Sequence, residues 1–199
     1  MNRKFVILFI IFLNSLVFAQ QAKLNESAPD FKLTDSNRSE HSFSDFKGKI
    51  VVLEWINFDC PFVKKHYDSK NMQSLQEKYT KEGIVWLAIC SSSKGKQGNF
   101  SVEEINKRSK NHGAKFTAYL IDEDGTVGKM YGAKTTPHMY IIDKSGMLVY
   151  AGGIDDKATT DVDDIEGSKN YVSSALDELL AGKEVSMQSS TPYGCSVKY

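Results

Sequence analysis

Residues 49–67 read KIVVLEWINFDCPFVKKHY. The first half, Lys49 to Asn57, is almost continuously apolar and β-branched, the pattern of a strand buried on both faces of a sheet. The second half opens a helix. Pro61 suits the first helical position, where its missing N–H would be unpaired anyway, and Phe62, Val63, Tyr67, Met72, Leu75 and Tyr79 follow at helical spacing. The polar interval Asp68-Ser69-Lys70-Asn71 is expected to bend or split that helix, and Gly83 to close it. Cys60 falls at the junction, as the expected N-cap.

On the C-terminal side, IVWLAIC (84–90) is a second strand of the same buried type, so strand, helix and strand form one right-handed parallel unit. Ser101 with Glu104 three residues on is a capping-box signature, and that helix ends at Gly113. TTPHMYIIDKSGMLVYAGG (135–153) gives two strands turning at Lys144-Ser145-Gly146. A last helix is expected from about Lys169 to Ala181. On the N-terminal side, residues 26–49 carry two short apolar alternations, Phe31 and Leu33, then Phe43 and Phe46, around a polar interval that suits an edge hairpin. The expected fold is α/β of the thioredoxin-like type: a central mixed β-sheet flanked by helices, with an N-terminal β-hairpin extension. The ending SMQSSTPYGCSVKY (186–199) has no periodicity and reads as a flexible tail carrying Cys195.

Arg3 and Lys4 precede an apolar run from Phe5 to Phe18 that ends at the small residue Ala19. That order is a secretory signal, too short and too interrupted for a spanning helix. The expected organisation is therefore a signal peptide at 1–19, one domain over 20–182 and a tail over 183–199, exported to a periplasm or secreted, with no membrane insertion once the signal is removed. Without Arg3 and Lys4, 23 Lys+Arg face 25 Asp+Glu, a balance that offers nucleic acid no electrostatic footprint. Export places Cys60, Cys90 and Cys195 where disulfides persist, and an odd count leaves at least one thiol unpaired within the chain.

At a helix N-cap the sulfur of Cys60 faces exposed amides and the positive end of the dipole, a contribution of ~1 to 2 kcal/mol in favour of the thiolate. Lys64, Lys65 and His66 would add to it if they stay near the first turn. The thiolate is the nucleophile, so this is the setting of a reactive rather than an inert cysteine. The carboxyl end of a central parallel strand is also where sites gather in open α/β sheets.

Taken with APDFKLTD (28–35), FSDFKGKIVVLEW (43–55), the strand–Cys–Pro junction and TTPHMYIID (135–143), the chain from about Glu26 to Ala181 resembles thioredoxin-like redoxins of the alkyl-hydroperoxide-reductase/thiol-specific-antioxidant (AhpC/TSA) group. The resemblance implies a thiol-dependent oxidoreductase with Cys60 as its redox-active nucleophile. It implies that Pro137 is a cis-proline opposite Cys60, with Pro61, Thr136 and Pro137 lining the substrate groove. Glu54, six residues before Cys60, matches the spacing of a buried acid beneath the site, although water or Lys49 could equally satisfy it. Two departures limit the analogy. The motif Cys60-Pro61-Phe62-Val63 has one thiol, and the peroxidatic Pro-x-x-x-Thr-x-x-Cys pattern is replaced by Leu53 and Asn57. Arg38 and Arg108 are in no recognisable peroxidatic setting. Asn57 could still donate a hydrogen bond to peroxide.

An oxidised Cys60 needs a second thiol. Cys195 is the favoured partner, because TPYGCSVKY (191–199) resembles the tail of some members of the group. Cys90, at a strand end on the same sheet edge, is an alternative, as is a separate protein or small thiol. The expected partners are a thiol or disulfide protein or a small-thiol reductant, with peroxide as an alternative substrate. No cofactor is expected. A further alternative is a non-catalytic copper- or partner-binding module on the same fold; a copper site using Cys60, His66 and His138 would have an incomplete ligand set.

Overall fold

A computed structural model describes residues 21–199; the expected signal segment lies outside them. In chain order the elements are β1 (Lys32–Asp35), β2 (Glu40–Ser42), β3 (Val51–Trp55), α1 (Pro61–Asp68), α2 (Asn71–Lys81), β4 (Val85–Cys90), α3 (Val102–Asn111), β5 (Ala118–Ile121), α4 (Thr126–Tyr131), β6 (Thr135–Thr136), β7 (His138–Ile142), β8 (Leu148–Gly152), α5 (Tyr171–Leu180) and β9 (Cys195–Ser196). Seven strands form one mixed sheet in the order β2-β1-β5-β4-β3-β7-β8, and β6 pairs with β9 apart from it. The β3–β4 and β4–β5 pairs are parallel, while β3–β7 and β7–β8 are antiparallel. This is the thioredoxin-like arrangement expected, with β1 and β2 as the edge hairpin.

Every residue of β3 and β4 is buried, because the sheet is covered on both faces. Strand alternation then divides the core. Val52, Ile56, Trp86, Ala88, Met139 and Ile141 pack with Tyr67, Met72, Val172 and Leu176 of α1, α2 and α5. Val51, Leu53, Trp55, Leu87 and Ile89 pack on the other face with Val127 and Tyr131 of α4. Glu54 falls on the first of these faces, fully buried among apolar neighbours. The helix break occurs where the polar interval predicts it: Lys70 takes a left-handed φ of 65° between α1 and α2.

The tail departs from expectation. Instead of hanging free, it is hydrogen-bonded along its length to the body of the domain, and Cys195 with Ser196 forms a strand. Its unpaired backbone amides and carbonyls gain partners from segments far away in sequence, which no local pattern announces. Among the described residues no helix is long and apolar enough to cross a membrane.

Candidate active site

Cys60 is the N-cap of α1, in extended conformation with Pro61 at the first helical position. Asn57 builds the turn that delivers it: its Oδ1 accepts from the Asp59 amide at 3.0 Å and its carbonyl from the Cys60 amide at 2.9 Å. The amide nitrogen of Asn57 donates to the Gln97 carbonyl at 3.3 Å. Gly98 permits this closeness, since a Cβ there would lie 2.9 Å from the Asn57 Cγ. Asn57 thus braces the loop through both its side-chain oxygen and its side-chain nitrogen.

The sulfur of Cys60 donates to the Thr136 carbonyl at 3.0 Å and accepts from the Cys195 amide at 3.4 Å. The Thr136–Pro137 peptide is cis. β9 runs antiparallel to β6 with Cys195 opposite Thr136, so the tail brings the second thiol onto the first. Burial, and then the neighbouring Cys60 sulfur, push the Cys195 thiol up to about 11. Cys195 is therefore a thiol at neutral pH. Cys60 is 0% exposed, with the docked tail lying against its sulfur.

The flanking basic residues differ in their surroundings. Lys64 is exposed. Lys65 is buried, donating to the Lys157 carbonyl at 2.6 Å. Burial, and then the charge of Lys65, hold His66 down to about 3, so it is neutral; its Nε2 meets the Tyr193 hydroxyl at 3.0 Å and its Nδ1 the Asn71 amide at 2.9 Å. Asp155 lies 4.0 Å from that neutral ring, which makes the contact polar rather than an ion pair.

Beneath the site, Glu54 accepts from Trp86 Nε1 at 2.8 Å, Gln76 Nε2 at 3.0 Å and the Tyr67 hydroxyl at 3.2 Å. Burial outweighs these three donors and pushes the carboxyl up to about 7. Protein donors, not water or Lys49, satisfy it.

The model of the AhpC/TSA family matches residues 24–151, well over half of the chain. The chain belongs to that family. The match stops within β8, so α5 and the segment bearing Cys195 lie outside it. A similar relative is the thiol-disulfide oxidoreductase ResA of Geobacillus kaustophilus, 29% identical over 138 residues, 69% of this chain and 74% of that protein. An uncharacterized conserved protein from Geobacillus kaustophilus has a similar crystal structure, with 31% identity, a TM-score of 0.78, and coverage of 89% of this chain and 92% of that one. The putative thiol:disulfide interchange protein DsbE from Chlorobium tepidum shares the fold, at 23% identity and a TM-score of 0.53 over 66% of this chain and 85% of that one.

For this AhpC/TSA-family chain, the remaining residues singled out in the sequence have hydrogen-bond or ion-pair partners of their own. Cys90 is buried, its thiol directed to the Gly98 carbonyl at 3.4 Å and Ser92 Oγ at 3.5 Å. His138 Nδ1 accepts from the Lys134 amide and contacts the Tyr140 hydroxyl. Arg108 pairs with Asp59 and Glu104, both at 2.7 Å, and lies over the Phe100 ring. Tyr193 and Asp155 fasten the tail beside His66; Tyr193 lies within the TPYGCSVKY ending already singled out for Cys195, whereas Asp155 carries no motif.

Proposed function

We propose that the chain is an exported thiol–disulfide oxidoreductase in which Cys60 attacks and Cys195 resolves. Export rests on the signal-like pattern of residues 1–19, and the assigned units are a domain over 20–182 and a tail over 183–199. The observation that carries the reading is the Cys195 amide seated 3.4 Å from the Cys60 sulfur, on a strand paired to Thr136. Cys60, as the N-cap of α1, is the first nucleophile in this reading.

The chemistry is two exchanges. The Cys60 thiolate attacks one sulfur of a client disulfide, and the client's other sulfur leaves as a thiolate. Cys195 then loses its proton to that basic leaving group and attacks the Cys60 sulfur, freeing the second client thiol and closing a Cys60–Cys195 disulfide. Two electrons pass from the pair to the client, and a separate dithiol reductant returns them. Pro61, Thr136 and Pro137 wall the groove; Asn57 positions the turn. Glu54, protonated near neutrality, spares the thiolate a second negative charge. A disulfide suits this site better than peroxide, because the peroxidatic proline and threonine positions are held by Leu53 and Asn57. Copper is disfavoured by the engagement of both His66 nitrogens and of His138 Nδ1.

The test is oxidation with a small disulfide followed by non-reducing peptide mapping. The expected map joins Cys60 to Cys195, and Cys195→Ser accumulates the Cys60 mixed disulfide. A Cys60–Cys90 link, or an unmodified Cys60, would overturn the assignment.

A further inference from the structure

β6 is a two-residue strand whose partner, among the described residues, is β9 of the chain's own tail. With the tail withdrawn, the free edge of β6 could pair with another extended chain. The tail records what such a chain must look like. Its residue before the cysteine, Gly194, has φ 136°, and a Cβ there would meet the Thr136 carbonyl oxygen at 2.1 Å and its carbon at 2.7 Å. A side chain is therefore excluded one residue before the cysteine. Two residues before it, Tyr193 enters a built pocket: its hydroxyl donates to Asp155 Oδ1 and meets His66 Nε2, its ring lies 5.9 Å from that of Phe62, and Lys65 Nζ sits 5.7 Å from its centroid. His66 and Asp155 are both deeply buried.

We propose that the groove between α1 and β6 is a recognition site for an extended polypeptide carrying Tyr-Gly-Cys, bound antiparallel to Thr135–Thr136, and that a client segment of this kind competes with the chain's own tail for it. The glycine is the selective element and the tyrosine the anchor. Competition follows from the burial of Cys60: a protein client reaches the sulfur only by taking the place of Gly194–Cys195–Ser196. The returning tail then displaces the client strand as it brings Cys195 to the sulfur. This rests on the oxidoreductase reading for its client, but the binding it asserts is measured separately.

The experiment uses the full-length chain with Cys90→Ser and Cys195→Ser, with and without Tyr193→Ala to loosen the tail. The probe is a fluorescein-labelled peptide, TPYGSSVKY, whose serine replaces the cysteine so that no covalent bond forms. Fluorescence anisotropy is expected to show saturable binding to the Tyr193→Ala chain, weakened about tenfold or more when the tail is intact, and about tenfold or more when alanine replaces the peptide's glycine. Equal binding of the alanine peptide, or equal binding with the tail intact and loosened, would overturn the proposal. Should Tyr193→Ala fail to fold, Gly194→Ala in the same chain serves: alkylation of Cys60 is expected to accelerate about tenfold or more as the clash undocks the tail, and an unchanged rate would overturn the proposal. Peptide discrimination without any Cys60 disulfide in the mapping experiment would sink the oxidoreductase reading alone. A Cys60–Cys195 disulfide with no discrimination against alanine would sink this one alone.

Discussion

Glu54 and Asp155 are both buried carboxyl groups that accept a tyrosine hydroxyl, yet they are closed by different parts of the chain. The lid over Glu54 comes from α1, α2 and β4, elements that cannot leave without unfolding the core. The lid over Asp155 is Tyr193 of the tail, while Asp155 Oδ2 has no hydrogen-bond partner among the described residues. One carboxyl is closed by core elements; the other takes the Lys157 amide from its own loop and is covered by a tyrosine of the tail. The first region should therefore report global stability, and the second local opening over Cys60.

The largest effect that can break this contrast is in pH. Glu54 is raised from 4.5 to about 7, so the folded state holds its proton more tightly than the unfolded one. Its stabilisation is complete below about pH 4.5 and is lost as pH climbs to 7, on the order of 3 kcal/mol in all. His66 is lowered from 6.5 to about 3, so its contribution is complete above pH 6.5 and is lost as pH falls toward 3. The charged or titratable groups facing it are Lys65 on its own helix, Asp155 from the loop after β8, and Tyr193 from the tail. Between roughly pH 4.5 and 6.5 the two slopes oppose each other. Urea midpoints of Glu54→Gln are expected to rise with pH across that window, where the parent stays nearly flat. Hydrogen exchange at the Cys195 and Val197 amides, corrected for intrinsic rate, is expected to quicken below pH 6.5 before the core does. A pH profile unaltered by Glu54→Gln would remove the first half of the contrast, and tail protection constant down to pH 4 the second.

A smaller effect sharpens the same contrast by making one chemical change in both places. Tyr67→Phe removes the hydroxyl that donates to Glu54 and accepts from Gln76, at an expected global cost of about 1 to 3 kcal/mol, with Cys60 alkylation unchanged. Tyr193→Phe removes the donor to Asp155 and is expected to speed Cys60 alkylation by roughly 5- to 30-fold, the span of one to two kcal/mol, with little change in the urea midpoint. If Tyr193→Phe lowers the midpoint as much as Tyr67→Phe does, the tail is part of the core and the distinction fails.

The two regions also differ in how far they could be read in the sequence. The strand of Glu54 announces itself by its apolar β-branched run, and the six-residue spacing to Cys60 picks out the acid. The hydroxyl, amide and indole that satisfy it stay hidden, because Tyr67, Gln76 and Trp86 meet only through the packing of α1 and α2 on β4. Cys60 as N-cap was legible from Pro61, and the helix break from its polar interval. β5 and α4 were not: Ala118–Ile121 is short and Thr126–Tyr131 spans under two turns, too little for periodicity to show. Asn57 is legible as a donor beside Cys60, and its spacing to Asp59 also signals the Asx turn that its Oδ1 closes. The docking of the tail is wholly non-local, since a two-residue strand has no pattern of its own.

The least effect tests whether the tail's anchorage is concentrated at Tyr193. Further back, Gln188 exchanges side-chain hydrogen bonds with Asn25 at 2.9 and 3.0 Å in a solvent-facing position. Water replaces such bonds readily, so Gln188→Ala is expected to cost less than about 0.5 kcal/mol and to leave the alkylation rate of Cys60 within about twofold of the parent. The substitution spares the backbone bond from the Ala151 amide to the Gln188 carbonyl, which holds this end of the tail whatever the side chain. If Gln188→Ala opened the site as far as Tyr193→Phe, anchorage would be spread along the whole segment. Asp155 would then be one contact among many rather than the latch that sets it apart from Glu54.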